Sequence, residues 1–253
     1  MPKFPSSHVT LVTGASTGIG AATALAFAEA GSQVAVHYNS SQDAAKNVAA
    51  RIQSAGGNAW LFQADLSKAA ECRRLVAEVL KTCGRIDVLV NNAGSLLDRK
   101  PLFEISDEFW QRVLDVNLNS AFWTTQAAAR HMTERGSGAV VNVSSIAARN
   151  GGGPGALPYA SAKGAVTAMT KGLARELIPR GVRVNAVNPG VILTPFHERF
   201  STPERIQAMV STIPQGRAGQ PDEIAGAIVF LASDAASHVV GESLEINGGM
   251  LME

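Results

Sequence analysis

Val9-Thr10-Leu11-Val12 runs directly into Thr13-Gly14-Ala15-Ser16-Thr17-Gly18-Ile19-Gly20, and a helical stretch at 19–30 follows. The first four residues form a short apolar strand, as a sheet covered on both faces requires. The glycines permit a tight turn, let backbone approach a pyrophosphate, and let the helix pack close on the strand. The helix start then offers free N–H groups and the positive end of its dipole to an anion. Purely structural turns and methyltransferases also use glycines. The position between the first strand and the first helix favours nucleotide binding and makes Gly14, Ser16, Thr17, Gly18, Ile19 and Gly20 candidates for it.

Outward from this turn, apolar runs alternate with amphipathic stretches. Strands are predicted at Val9–Val12, 34–37, 59–62, 86–90, 139–143, 182–187 and Ser243–Ile246. Helices are predicted at 19–30, 42–55, Ala69–Cys83, 107–135, 159–178 and 222–233. Such alternation implies right-handed βαβ units and a doubly wound, Rossmann-type parallel sheet of about seven strands with helices on both faces. With 253 residues, no repeat and no Pro/Ser-rich linker, the chain reads as one α/β domain. The segment Gly151-Gly152-Gly153-Pro154-Gly155 is too short for a linker and reads as a flexible loop beside a site.

The net charge of +1 gives no footing for nucleic acid or an anionic membrane surface. The N-terminal residues carry no signal-like apolar run, and no stretch approaches transmembrane length. Cys72 and Cys83 form no CxxC pair and have no histidine cluster nearby, so they read as packing or surface thiols and no metal is expected. A reducing cytosol is the simplest compartment.

A second constellation is Tyr159-Ala160-Ser161-Ala162-Lys163, with Pro158 at a helix start. Tyrosine and lysine four residues apart share a helix face. A phenol with an ordinary pKa near 10 is a poor base at neutral pH, and a neighbouring ammonium lowers it. The pair therefore suits proton exchange with an alcohol or ketone. Taken alone, such a pair is common on solvated helices. Ser144-Ser145 ends the strand at 139–143, where open parallel sheets bind ligands, so a hydroxyl there can reach a carbonyl oxygen. Serine at such a point also serves as a cap. Asn117 stands inside a predicted helix, which asparagine tolerates poorly.

Together these motifs resemble the short-chain dehydrogenase/reductase family over nearly the whole chain. Thr13–Gly20 resembles its TGxxxGxG turn, and Asn91-Asn92-Ala93-Gly94 its NNAG motif. Asn117, Ser145, Tyr159 and Lys163 fall in order on its catalytic tetrad, Asn188–Thr194 on its PGxxxT segment, and Gly216–Gly249 on its closing pattern. Members acting on 3-oxoacyl thioesters and on sugars or polyols share these motifs. The resemblance implies that Tyr159 protonates the developing alkoxide and Ser145 holds the carbonyl oxygen. Lys163 lowers the Tyr159 pKa and binds the nicotinamide ribose, and Asn117 holds a water linking Lys163 to solvent. Asp65, with Leu66 beside it, meets the adenine edge. Asn91, Ala93 and Gly94 line the adenosine ribose, while Asn92 stabilises the sheet. Pro189, Gly190, Ile192 and Thr194 approach the nicotinamide carboxamide. Residues 195–213 form a substrate lid carrying Phe196, His197, Phe200 and Met209, with His197 read as structural.

The resemblance also implies a homotetramer, and the apolar run Ala121-Phe122-Trp123 agrees with it. Cofactor choice turns on 36–41, where an NAD site usually carries an acid for the ribose 2′-hydroxyl. Tyr38, Asn39, Ser40 and Ser41 stand there instead, with Thr17 nearby, and Asp43 reads as a helix cap. The expectation is NADP(H), with NAD(H) also used. Three rival readings are an NAD-dependent sugar or polyol dehydrogenase, a catalytically silent nucleotide sensor, and a methyltransferase. The intact tetrad argues against the last two.

Overall fold

A computed structural model describes residues 2–252, excepting the side chains of His197 and Glu198. Seven strands form one parallel sheet: β1 (Val9–Val12), β2 (Gln33–Tyr38), β3 (Ala59–Gln63), β4 (Val88–Asn91), β5 (Gly138–Val143), β6 (Val182–Pro189) and β7 (Ser243–Ile246). Their order is β3-β2-β1-β4-β5-β6-β7, so the order reverses at β1, which pairs with both β2 and β4. Such a reversal opens a crevice beyond the carboxyl ends of the strands.

Alternation along the strands divides the core. Val12, Val34, Val36, Val88 and Val90 face α1 (Gly18–Glu29), α2 (Gln42–Ser54) and α10 (Pro221–Ala232). Val9, Leu11, Ala35 and Leu89 face α3 (Ala69–Cys83), α5 (Ser120–Glu134) and α7 (Leu157–Leu177). Phe27 is fully buried in the first layer, and its truncation to alanine would cost about 3–5 kcal/mol. Cys72 is buried in the second layer and Cys83 packs at its margin, both as free thiols. Gly84 ends α3 in the left-handed conformation, with its N–H on the Leu80 carbonyl.

The predicted helix at 107–135 is interrupted. α4 (Asp107–Leu114) and α5 are separated by a π-helical turn at Asp115–Asn119 that contains Asn117. The Asn117 amide donates to the Val113 carbonyl at 2.9 Å and to the Ser95 carbonyl at 2.7 Å, and its oxygen accepts from the Ser95 N–H at 3.0 Å. The asparagine competes for helix backbone and fastens the widened turn to the loop after β4. Three short helices were not expected from the sequence: α6 (Ala147–Asn150), α8 (Pro195–Phe200) and α9 (Pro203–Val210). The last two lie within the predicted lid.

Candidate active site

The glycine turn is fixed from three sides. Gly14 and Gly18 have φ of +62° and +55°, a region that only glycine enters freely. The Thr13 hydroxyl donates to the Val90 carbonyl and accepts from the N–H groups of Asn92 and Ala93. The Asn92 amide donates to the carbonyls of Thr13 and Gly14 at 2.9 and 3.0 Å. A Cβ on Gly20 would overlap the Gly14 carbonyl oxygen and that same amide, so Gly20 sets how closely α1 approaches the turn. The sequence put Gly20 among the cofactor contacts, but it does not line the cavity.

His37, at the end of β2, has no expected role in the sequence reading. Its Nδ1 accepts the Gly14 N–H at 2.9 Å, which places the ring proton on Nε2, donating to the Ala64 carbonyl at 3.1 Å. Burial pushes its pKa down to about 4, so the ring is neutral and holds the turn in place. Tyr38 corrects an expectation: its side chain points into the first core layer and is absent from the cavity wall, because alternation along β2 turns His37 outward instead.

A cavity of about 740 Å³ runs from this turn across the strand ends. Gly14, Ser16, Thr17, Gly18 and Ile19 line one side. Asn39, Ser40 and Ser41, all exposed, and Asp65 and Leu66 continue the wall. Asp65 accepts from the Ser67 hydroxyl at 2.7 Å, and chiefly that bond holds its pKa below the usual carboxylate range. Asp43 lies outside the wall and pairs at 3.7 Å with Lys46 instead of capping. Ala93, Gly94, Pro189, Gly190, Ile192 and Thr194 form the central part. A Cβ on Gly18 would stand 3.2 Å from Thr194 Cγ2, so the segment after β6 closes directly over the glycine turn.

The two asparagines at the end of β4 exchange their expected places. Asn91 is buried, donating to the Thr125 hydroxyl and to the Asn142 amide oxygen, and its side chain does not face the cavity. Asn92 lines it. Strand alternation again supplies the reason, since Asn91 is the last sheet residue and points across to β5.

Ser145, Tyr159 and Lys163 meet in the same cavity. Lys163 is buried, and its Nζ donates to the Val143 carbonyl at 2.7 Å and stands 5.7 Å from the Tyr159 ring centroid. A Cβ on Gly94 would lie 2.7 Å from Asn117 Oδ1 and 3.2 Å from Lys163 Nζ, so a bare glycine lets these two groups approach one another. Asn117 thus sits behind the wall, not in it. The expected downward shift of Tyr159 is reversed. Burial pushes the phenol up to about 12, against the hydrogen bond with Ser145, and burial pushes Lys163 down to about 8. Neighbouring Ser144 is structural, donating to the Lys163 carbonyl at 2.9 Å. Phe196 packs on the Tyr159 ring with centroids 5.8 Å apart. The His197 side chain lies outside the described residues.

The turn fits a dinucleotide. Its glycines take conformations a side chain would forbid, and Thr17 caps α1 without a side-chain bond to the first helical N–H groups. An open parallel sheet with such a turn at its reversal point is the architecture of a dinucleotide-binding enzyme.

Comparison with known proteins narrows the class. A family model described as enoyl-(acyl carrier protein) reductase matches residues 14–251. A 3-oxoacyl-[acyl-carrier-protein] reductase of Synechocystis is 44% identical over 98% of each chain. The FabG enzyme of that name from Staphylococcus aureus is 40% identical over 96% of this chain and 97% of its own. Among solved structures, a putative NAD(P)-dependent gluconate 5-dehydrogenase from Beutenbergia cavernae with bound NADP superposes with a TM-score of 0.90 at 38% identity, covering 96% of each chain. A 7α-hydroxysteroid dehydrogenase complexed with NADH and a 7-oxo bile acid superposes at 0.92 with 36% identity, covering 99% of each chain. The chain belongs to the short-chain dehydrogenase/reductase family, and is an oxidoreductase that uses a nicotinamide cofactor. No helix among the described residues is long and apolar enough to cross a membrane.

Proposed function

We propose that this enzyme reduces a carbonyl to a secondary alcohol with NADPH, through Tyr159, Ser145 and Lys163. The observation that carries the reading is one cavity joining the glycine turn to these three side chains. Bound there, the nicotinamide supplies the hydride to the carbonyl carbon. Ser145 holds the substrate oxygen, and Tyr159 gives that oxygen its proton. A phenol at about 12 keeps its proton at neutral pH, which suits an acid in the reducing direction. Lys163, at about 8, is largely protonated at neutral pH and lies beside Asn117, through which a water can reach it. Phe196 and α8 shield the tyrosine from bulk solvent as part of a lid over 195–213.

The preference for NADPH rests on the wall after β2. Asn39, Ser40 and Ser41 offer neutral donors, and Asp43 stands outside, so a 2′-phosphate meets no carboxylate there. With no cation present at these positions, discrimination is modest, about 1–3 kcal/mol. The test is kcat/KM with each cofactor on one ketone. A preference for NADH would refute the assignment.

Assembly as a homotetramer accounts for the apolar surface of Leu102, Phe103, Phe122 and Leu157, of which Phe103 is 98% exposed. The two free thiols agree with a cytosolic setting.

A further inference from the structure

Beyond the tyrosine, the cavity wall carries charge that proton transfer does not use. Arg99, in the loop after β4, lines it, as do Arg112 on α4 and Arg199 on α8. Among the described residues of the wall, the one carboxylate is Asp65, which follows the edge strand β3 and is engaged by Ser67 and Lys68.

Arg99 does not stand alone. Its Nη1 donates to the Pro154 carbonyl at 3.1 Å, and Arg205 Nη2, from α9, donates to that same oxygen at 3.3 Å. Arg99 Nε also donates to the Phe200 carbonyl at 2.8 Å, at the end of α8. Two guanidiniums thus converge on one neutral acceptor, and neither forms an ion pair among the described residues. Each offers five donors, of which Arg99 uses two and Arg205 one. Arg99 is half-buried, while both guanidinium contacts with Pro154 remain open to solvent. Burial and the neighbouring Arg205 both pull its pKa down.

The glycine-rich loop is fitted to this pair. A Cβ on Gly153 would stand 2.7 Å from Arg205 Nη2, and one on Gly155 would stand 2.9 Å from Arg99 Cβ. Glycine there makes room for the arginines, and Gly153 itself lines the cavity.

We infer that Arg99, with Arg205 beside it, seats a carboxylate on the substrate, so that the ligand class is keto acids or keto sugar acids, not neutral ketones. The inference rests on the carbonyl-reductase reading above. An oxyanion satisfies the idle donors and relieves the repulsion between the two cations in one contact. Arg112 and Arg199 add to the positive field that draws an acid into the cavity. Because Arg99 holds the Phe200 carbonyl and Arg205 stands on α9, the same contact ties the substrate to both helices over the site.

The test uses two matched pairs: 4-oxopentanoate with its methyl ester, and 5-ketogluconate with fructose. Binding is measured by calorimetry on the wild type, Arg99→Gln, Arg99→Lys and Arg205→Gln, and turnover is measured beside it. At least one acid is expected to bind the wild type about 10- to 100-fold more tightly than its neutral partner, a gap that added salt narrows. Arg99→Gln should close the gap, Arg205→Gln should shrink it, and Arg99→Lys should keep part of it. Fluorescence titration with NADPH should be unchanged in all three variants, which excludes general misfolding. Equal binding of acid and neutral partner in both pairs overturns the inference. So does an acid preference that survives in both glutamine variants, or a carrier-protein thioester that is reduced with no need of either arginine. Acids that bind as expected but are not reduced uphold the anion seat and count against the reductase reading alone.

Discussion

Lowering the pH from 7 to 4 is expected to weaken this protein through His37. Burial lowers the ring's pKa from 6.5 to about 4, so it stays neutral and its Nδ1 accepts the Gly14 N–H. In the unfolded chain the ring takes a proton near 6.5, while the folded protein resists until about 4. The stabilisation is therefore complete above 6.5 and is lost as pH falls through that window. A gap of about 2.5 units at 1.36 kcal/mol each is worth about 3 kcal/mol. Urea unfolding of the wild type and His37→Gln at several pH values isolates this contribution, since other groups, His8 included, cancel in the difference. The advantage of the wild type should shrink by about 2–3 kcal/mol between pH 7 and pH 4. Below the folded pKa the ring can no longer accept from Gly14, so NADPH affinity should fall there as well. A constant offset between the two proteins across the whole range would refute the reasoning.

Gly20→Ala should cost about 1–3 kcal/mol and weaken NADPH binding, because the new methyl meets the Gly14 carbonyl and the Asn92 amide; wild-type values in urea unfolding and fluorescence titration would remove that packing argument. Asp87 is buried and accepts from the Val9 N–H, from Arg85 at 2.6 and 2.8 Å, and from Arg135 at 2.7 Å. Its replacement by alanine removes these bonds from two partly exposed arginines and from the Val9 N–H, and should cost about 1–3 kcal/mol, read as a lower urea midpoint with kcat per folded molecule unchanged. Light scattering at micromolar concentration should show four chains; a monomer would leave the Leu102–Phe103 surface unexplained.

The sheet was legible because its strands are short apolar runs that alternate with helices, which implies a parallel, doubly wound arrangement. The glycine turn and the Tyr159–Lys163 pair were legible because each is a local pattern. What stayed hidden depends on contacts distant in sequence. The break at Asp115–Asn119 comes from Asn117 reaching Ser95, and helix periodicity carries no trace of that contact. Strand ends shift by a residue or two, enough to turn Tyr38 and Asn91 inward and His37 and Asn92 toward the cavity. Arg99 and Arg205 lie 106 positions apart in register with no shared motif, and only the fold places both on Pro154. The direction of the Tyr159 shift was also beyond reach, since spacing shows the lysine but not the depth of burial.

The most direct test of the central claim is single-turnover reduction by Tyr159→Phe, with NADPH binding followed in parallel. The substitution removes the hydroxyl and keeps the ring on Phe196. The account predicts a loss of at least ~10²-fold in the rate of reduction, with NADPH affinity retained. Near-wild-type turnover would contradict it, since no other group in the proposal gives the substrate oxygen its proton.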